Sequence, residues 1–296
     1  GPRLSIQPLV NRFQSLLQTE PGAPEEIQQM VGLSRQMLEQ IGEHWNLLNL
    51  LAHGVVSLPS FVANQLTTVS TGHAPVSVAV ASFTTALVWA LLLSLAGTLL
   101  GGLYLTLIAG QWLRLRSEEA DQEGEATAGS GFLHRLGLTW LRLILLALLI
   151  LGAALLIIVP LSLLCSLISL VNPGLALSSM GLLISVASSI VIWIFFILYF
   201  VTDAIVLDRV GVLQAIWRSV NIVWRNLWPA LGLAALSYVI GTGFAFIWDM
   251  IGSTAWGTVA GILGTAYIGT ALLAAGLAFY ANLRQRWQEA TAPRAT

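Results

Sequence analysis

The chain has 296 residues, of which 56% are hydrophobic and 9% charged, with a formal net charge of −1. Soluble domains carry about 25% charged residues, so a water-soluble domain is excluded, and the near-neutral balance excludes nucleic-acid binding through bulk electrostatics. Apolar runs of twenty residues or more instead indicate an all-α, polytopic transmembrane bundle.

Residues 1–44 read as cytoplasmic amphipathic helices. The first covers Leu4 to Gln18, with Leu9, Phe13, Leu16 and Leu17 on one side, and ends at Pro21 and Pro24. The second opens at Pro24-Glu25-Glu26, where proline suits the first turn and carboxylates suit the positive helix end. It runs to about His44, with Met30, Leu33, Met37 and Ile41 opposite Arg35, Glu39 and Glu43. No charged segment followed by a short apolar run opens the chain, so no signal peptide is expected.

Residues 45–113 hold the first two of six expected spans. One covers about Trp45 to Gln65. The other stays apolar from Val76 to Trp112, 37 residues. As a straight helix that is about 55 Å against a hydrocarbon core of about 30 Å, so the run must tilt, protrude or break, with Gly97, Gly101 and Gly102 as the place for a break. Residues 114–131 form an acidic, then small-residue stretch that reads as a flexible cytoplasmic linker. Residues 132–282 hold four more spans: Leu136 to Val171 with a kink at Pro160, Met180 to Leu207, Trp228 to Trp248, and Trp256 to Asn282. Residues 283–296 are a cytoplasmic tail. Trp45, Trp112, Trp228, Trp248 and Trp256 fall at span ends, as interfacial anchors do.

Arginine sets the orientation. Every basic residue is arginine. Connections 67–75, 172–179 and 249–255 have none. The alternate ones carry Arg114, Arg116 and Arg135, then Arg209, Arg218 and Arg225, then Arg284, Arg286 and Arg294, and the N-terminal region carries Arg3, Arg12 and Arg35. This alternation places both termini in the cytoplasm and supports an even span count.

Between the fourth and fifth spans, 211–227 reads as an interfacial helix. At about 100° per residue, Val212, Leu213, Ile216, Trp217, Val220, Val223, Trp224 and Leu227 share one face, and Gln214, Arg218, Asn221 and Arg225 the other. Such a helix lies flat in the headgroup layer, with Trp217, Arg218, Trp224, Arg225 and Trp228 at the membrane interface. Asp208-Arg209 turns the chain into it and Pro229 suits the first turn of the next span. A weaker echo precedes the first span: at an offset of 180 residues Leu33, Asn46, Leu47 and Leu51 match Leu213, Asn226, Leu227 and Leu231, as a parallel repeat would.

Ile205-Val206-Leu207-Asp208, Gly211, Ala215, Ser219 and Trp224-Arg225-Asn226 before a span, with Gln36 to Leu48 as an entry helix, resemble a group of poorly characterised bacterial six-helix membrane proteins. The group includes the membrane domain found with glycerophosphodiester phosphodiesterases. The resemblance covers about Val31 to Asn282 and implies a multi-pass domain of the bacterial cytoplasmic membrane with no catalytic residues to carry over. With few residues after Asn282, no phosphodiesterase domain is expected here.

Ionisable residues inside a membrane are functional candidates because burying them is costly unless they are paired. His53, Arg142 and Asp203 lie at similar depth and form a candidate polar cluster. The functional reading is a proton-linked pocket. The preferred structural reading is an Arg142–Asp203 ion pair, with His53 hydrogen-bonded to a neighbouring helix. No second histidine matches the depth of His53 for haem, no spacing suits zinc, and Cys165 stands alone, so neither cofactor nor metal is expected. Small residues recur four apart at Gly97 and Gly101 and at Gly257, Gly261, Thr265 and Gly269. Such ridges let helices approach closely, either at an oligomer seam or, as preferred, within the bundle. No motif of phosphate loop, nucleophile elbow or paired carboxylates appears.

Three function classes follow. The preferred one is a non-catalytic scaffold, assembly factor or lipid-contacting subunit, whose partners are membrane lipids and either another protein or a second copy. The alternatives are a small-molecule or lipid transporter with a polar inner-leaflet site, and a membrane-embedded enzyme.

Overall fold

A computed structural model describes residues 3–16, 28, 31–32, 34–36, 38–39, 47–52, 77–80, 82–119, 130–171, 173–251 and 255–291. The elements in order are β1 (Arg3–Ser5), α1 (Gln7–Leu16), α2 (Asn49–Ala52), β2 (Ser77–Ala79), α3 (Phe83–Glu119), α4 (Ser130–Val171), α5 (Pro173–Ile197), α6 (Val201–Leu207), α7 (Val212–Arg225), α8 (Leu227–Ile251) and α9 (Ala255–Thr291). Among the described residues, five stretches are long and apolar enough to cross a membrane: Phe83–Leu115, Gly131–Ile168, Gly181–Leu207, Leu227–Trp248 and Trp256–Trp287. The chain is thus a helical, multi-pass membrane protein. Most of the first expected span, the second N-terminal helix and His53 lie outside the described residues.

Several expectations change. The apolar run from Val76 is not one helix: its start is β2, paired in parallel with β1 in the register Arg3↔Ser77, Leu4↔Val78 and Ser5↔Ala79. Val76, Val78 and Val80 alternate in a run of small residues, a β-branched period-two pattern. Helix α3 starts at Phe83, where Ser82 and Thr84 join hydroxyls at 2.8 Å and the Ala86 amide bonds the Ser82 carbonyl at 2.9 Å. It then continues without interruption through Gly97, Gly101 and Gly102 to Glu119. The overlong apolar run is resolved by the strand at its start and by helix extending past Trp112, so the first residues of the expected linker are helical. Helix α4 likewise runs through Pro160. Proline sacrifices one backbone bond there, which a membrane helix tolerates.

Helix α5 begins at Pro173, inside the connection expected at 172–179, because proline's fixed φ and missing N–H suit a first helical position. The fourth expected span is two helices, α5 and α6, separated at 198–200. The expected tail is helical through Thr291.

Contacts group the chain into two compact units. One comprises 1–51, 71–96 and 148–192. Its core contains buried Leu47, Val80 and Leu93, packed by Leu4, Ile6 and Ala90. The strand pair is extended by the Val80 amide bonding the Ser5 carbonyl at 3.0 Å. The other unit comprises 52–70, 97–147 and 193–296, and its core is Leu105, Ala109, Leu143, Val206 and Leu277. Helix α8 packs on α9, and α7 on α6, α8 and α9. Large side chains such as Leu141, Leu156, Ile192 and Trp193 stay exposed, as they do on helices whose outer faces meet lipid rather than water.

Candidate functional site

The site begins at a helix interruption that no glycine or proline marks. After Ile197 the backbone tightens: the Val201 amide bonds the Leu198 carbonyl at 3.0 Å rather than the Ile197 carbonyl it would reach in a continuous α-helix. Aromatic packing holds the junction. Phe200 stacks on Phe279 at 5.8 Å and 21°, lies 6.1 Å from Tyr280, and meets Tyr199 edge-on at 5.0 Å. The freed Ile197 carbonyl is taken by Ser219 of α7, whose fully buried hydroxyl donates to it at 2.7 Å. One serine therefore satisfies a backbone group that the membrane would leave without a partner, and docks α7 onto the break.

Helix α6 ends at Asp208, whose amide caps it on Ala204 at 3.1 Å. Arg209 then takes φ 51°, the left-handed conformation that lets the chain reverse at once. Gly211, extended at φ −67° and ψ 160°, leads into α7. The turn brings α7 back across the Asp208 carboxylate.

Three side chains converge on that carboxylate, which has 0% exposure. Tyr280 Oη donates to Oδ2 at 2.7 Å, and Arg218 Nη1 donates to the same oxygen. Arg284 Nη1 lies 2.7 Å from Oδ1 without hydrogen-bond alignment, so this contact acts as an ion pair. Asp208 thus ties the α6–α7 turn to the middle of α7 and to α9. Oδ2 accepts both hydrogen bonds, and Oδ1 faces Arg284 only as an ion pair.

Helix α7 turns toward the protein a different arc from the one that carries its tryptophans. Val212, Ala215, Ser219, Ile222 and Val223 are buried, whereas Leu213, Trp217 and Trp224 are exposed, the two tryptophans by 68% and 71%. On a helical wheel the buried arc is turned by roughly 90° from the centre of the apolar face. Its small members, Ala215 and Ser219, let α7 approach α6 closely. Arg218 flanks this arc, which explains its reach to Asp208 rather than outward alone. Arg225 and Trp228 are exposed.

Asp203 is buried one turn before Asp208, with an oxygen facing Gly276 of α9: a Cβ there would sit 3.8 Å from Oδ2. Arg142 does not pair with it. The two ion pairs at this site are both made by Asp208. Arg142 stands beside Leu143, and it is Leu143 that enters the core with Val206 and Leu277. Nor do the described residues contain three His, Cys, Asp or Glu side chains grouped as for a metal.

No family model, curated protein or solved structure matches the chain.

Two close contacts escaped the small-residue pattern. Gly97, Gly101, Gly257 and Gly261 are buried and Gly269 half-buried, but a close helix contact also lies at Gly264, off that ridge. A Cβ on Gly264 would overlap the Trp248 ring. Trp248 lays its ring against α9 at Gly264. Tyr104 and Thr270 also share a 2.5 Å hydroxyl bond between α3 and α9. Ser219, Tyr280 and Arg284 are the site residues that sequence reasoning did not assign.

Proposed function

We propose that the chain is a non-catalytic integral membrane protein of the bacterial cytoplasmic membrane, a scaffold or assembly factor that contacts lipid through α7. It has six spans, the first at about Trp45 to Gln65, and both termini are cytoplasmic. Its residues Ile205 to Asn226 resemble those of the six-helix membrane domains found with glycerophosphodiester phosphodiesterases, and no activity is carried over. One observation carries this reading: α7 is fastened to the bundle on one side by Ser219 and Asp208, while Leu213, Trp217 and Trp224 face outward. Exposed tryptophans beside arginine are the composition of a helix lying in the headgroup layer. The charged groups of the site hold one another and serve to position that helix.

The test uses the double variant Trp217→Ala/Trp224→Ala. The reading predicts wild-type unfolding in detergent and a loss of the extra stability that the wild type gains in lipid nanodiscs. Equal stabilisation of both proteins by lipid would contradict it. Proteoliposomes loaded with a pH dye test the transporter alternative: proton flux abolished by Asp203→Asn would replace the scaffold reading. For the topology, cysteines at Ser70 and Ser178, with Cys165 replaced, are expected to react from outside and one at Gly129 only from inside. Labelling at Gly129 by an impermeant reagent on intact cells would overturn the orientation.

A further inference from the structure

The Asp208 joint carries more positive charge than negative. Arg218 and Arg284 both reach a single carboxylate, whose third partner is a hydroxyl. Among the described residues, two guanidiniums against one carboxylate leave about one positive charge without a counter-charge. The exposures show which way the excess faces: Asp208 is wholly buried, while the Arg218 and Arg284 side chains are 23% and 36% exposed. The acid therefore sits behind the pair, and the arginines open outward.

Their donor capacity is also unfilled. A guanidinium carries five N–H donors in a planar fork, and each arginine meets the carboxylate through one nitrogen. Among the described residues, the buried Arg284 Nε has no acceptor. A group that satisfies such donors needs several oxygens and a negative charge.

The setting narrows the choice. Trp217 precedes Arg218, and the outward-facing Trp217, Trp224 and Trp228 mark the headgroup level. At that level the abundant anion is the lipid phosphate, whose two non-bridging oxygens match the guanidinium fork.

We propose that Arg218 and Arg284, held together by Asp208, form a binding site for the phosphate of an anionic phospholipid. The site rests on the reading of α7 as an interfacial helix and adds to it a fixed point of headgroup recognition. Asp208 is then a positioning residue as well as a joint, since it sets the spacing of the two guanidiniums.

The experiment compares wild type, Arg284→Gln, Arg284→Lys and Arg225→Gln in nanodiscs of phosphatidylcholine, with and without phosphatidylglycerol. Native mass spectrometry counts the retained lipids and thermal unfolding follows stability. The wild type is expected to prefer phosphatidylglycerol. Arg284→Gln should lower that preference about fivefold, the loss appropriate to one arginine at a charged surface. Arg284→Lys should keep most of it. Arg225→Gln, exposed on α7 but away from the Asp208 joint, should lower it by less than Arg284→Gln does. No preference in the wild type, or equal losses in Arg284→Gln and Arg225→Gln, overturns the site. So do equal losses in Arg284→Gln and Arg284→Lys, which indicate a structural effect. Inorganic phosphate is added to the detergent-solubilised protein in parallel; if it stabilises the wild type and phosphatidylglycerol adds nothing, the lipid assignment falls to a soluble phosphate. A spin label at Trp217 separates the two layers. A lipid-exposed label with no phosphatidylglycerol preference removes the site alone, and a water-exposed label removes the interfacial reading beneath it.

Discussion

Replacing Asp208 with alanine removes the acceptor that three elements share. The loss can be built from its parts. The Tyr280 bond to a carboxylate is worth about 1.5–3 kcal/mol, and breaking a buried charge pair by removing one partner costs about 3–5 kcal/mol. These terms overlap, and the stranded arginines are 23% and 36% exposed, so water recovers part of their solvation. A net loss of about 3 kcal/mol follows, at the low end of the buried-pair range. At roughly 2–4 °C per kcal/mol, the scale for soluble domains of comparable size, the unfolding midpoint should fall by about 6–12 °C. Asp208→Asn keeps an acceptor for Tyr280 and should lose about half as much. Thermal unfolding in detergent of Asp208→Ala, Arg218→Ala and the double variant completes the cycle. A coupling energy above about 1 kcal/mol is expected for residues in one network. Additive losses, or a midpoint for Asp208→Ala within about 2 °C of wild type, would show that the carboxylate does not join the turn to α7 and α9.

Three further perturbations test the surrounding packing. Ser219→Ala strands the Ile197 carbonyl and should cost about 1–3 kcal/mol, read as a lower midpoint; an unchanged midpoint would mean the carbonyl finds another donor. Gly264→Ala should cost about 1–3 kcal/mol by overpacking against Trp248, and the same substitution in a Trp248→Leu background should cost less; an equal cost in both backgrounds would place the strain elsewhere. Arg142→Ala and Asp203→Ala should add within about 0.5 kcal/mol, because the residues do not touch, and a larger coupling in the same unfolding assay would restore the ion pair expected from their similar depth.

What the sequence made legible was local. The extent of α7 could be read because its amphipathic period and the flanking Gly211 and Pro229 are local signals. Which side of α7 meets the protein could not. Both candidate arcs are apolar, and the choice depends on the small size of Ala215 and Ser219 against α6, a tertiary matter. The partners of Asp208 lie ten residues away at Arg218 and 72 at Tyr280, so no spacing rule points to them. The interruption at 198–200 is set by packing of Phe200 on Phe279 and Tyr280, and its sequence is as apolar as the helix around it. Strand β2 was hidden for a related reason: an unbroken apolar run obscures a period of two. His53, Arg142 and Asp203 were grouped by depth alone. Depth ignores rotation about the helix axis, and rotation puts Leu143 rather than Arg142 in the core.

The central claim is that α7 lies in the membrane surface with its tryptophan face in lipid and its small-residue face on the bundle. With Cys165 replaced, spin labels at Trp217 and Trp224 on one face, and at Gln214 and Arg225 on the other, measure this directly through their accessibility to oxygen and to a water-soluble nickel chelate. The account predicts that labels at 217 and 224 favour oxygen while those at 214 and 225 favour the chelate. Labels at 217 and 224 that meet the chelate as freely as those at 214 and 225 would contradict it.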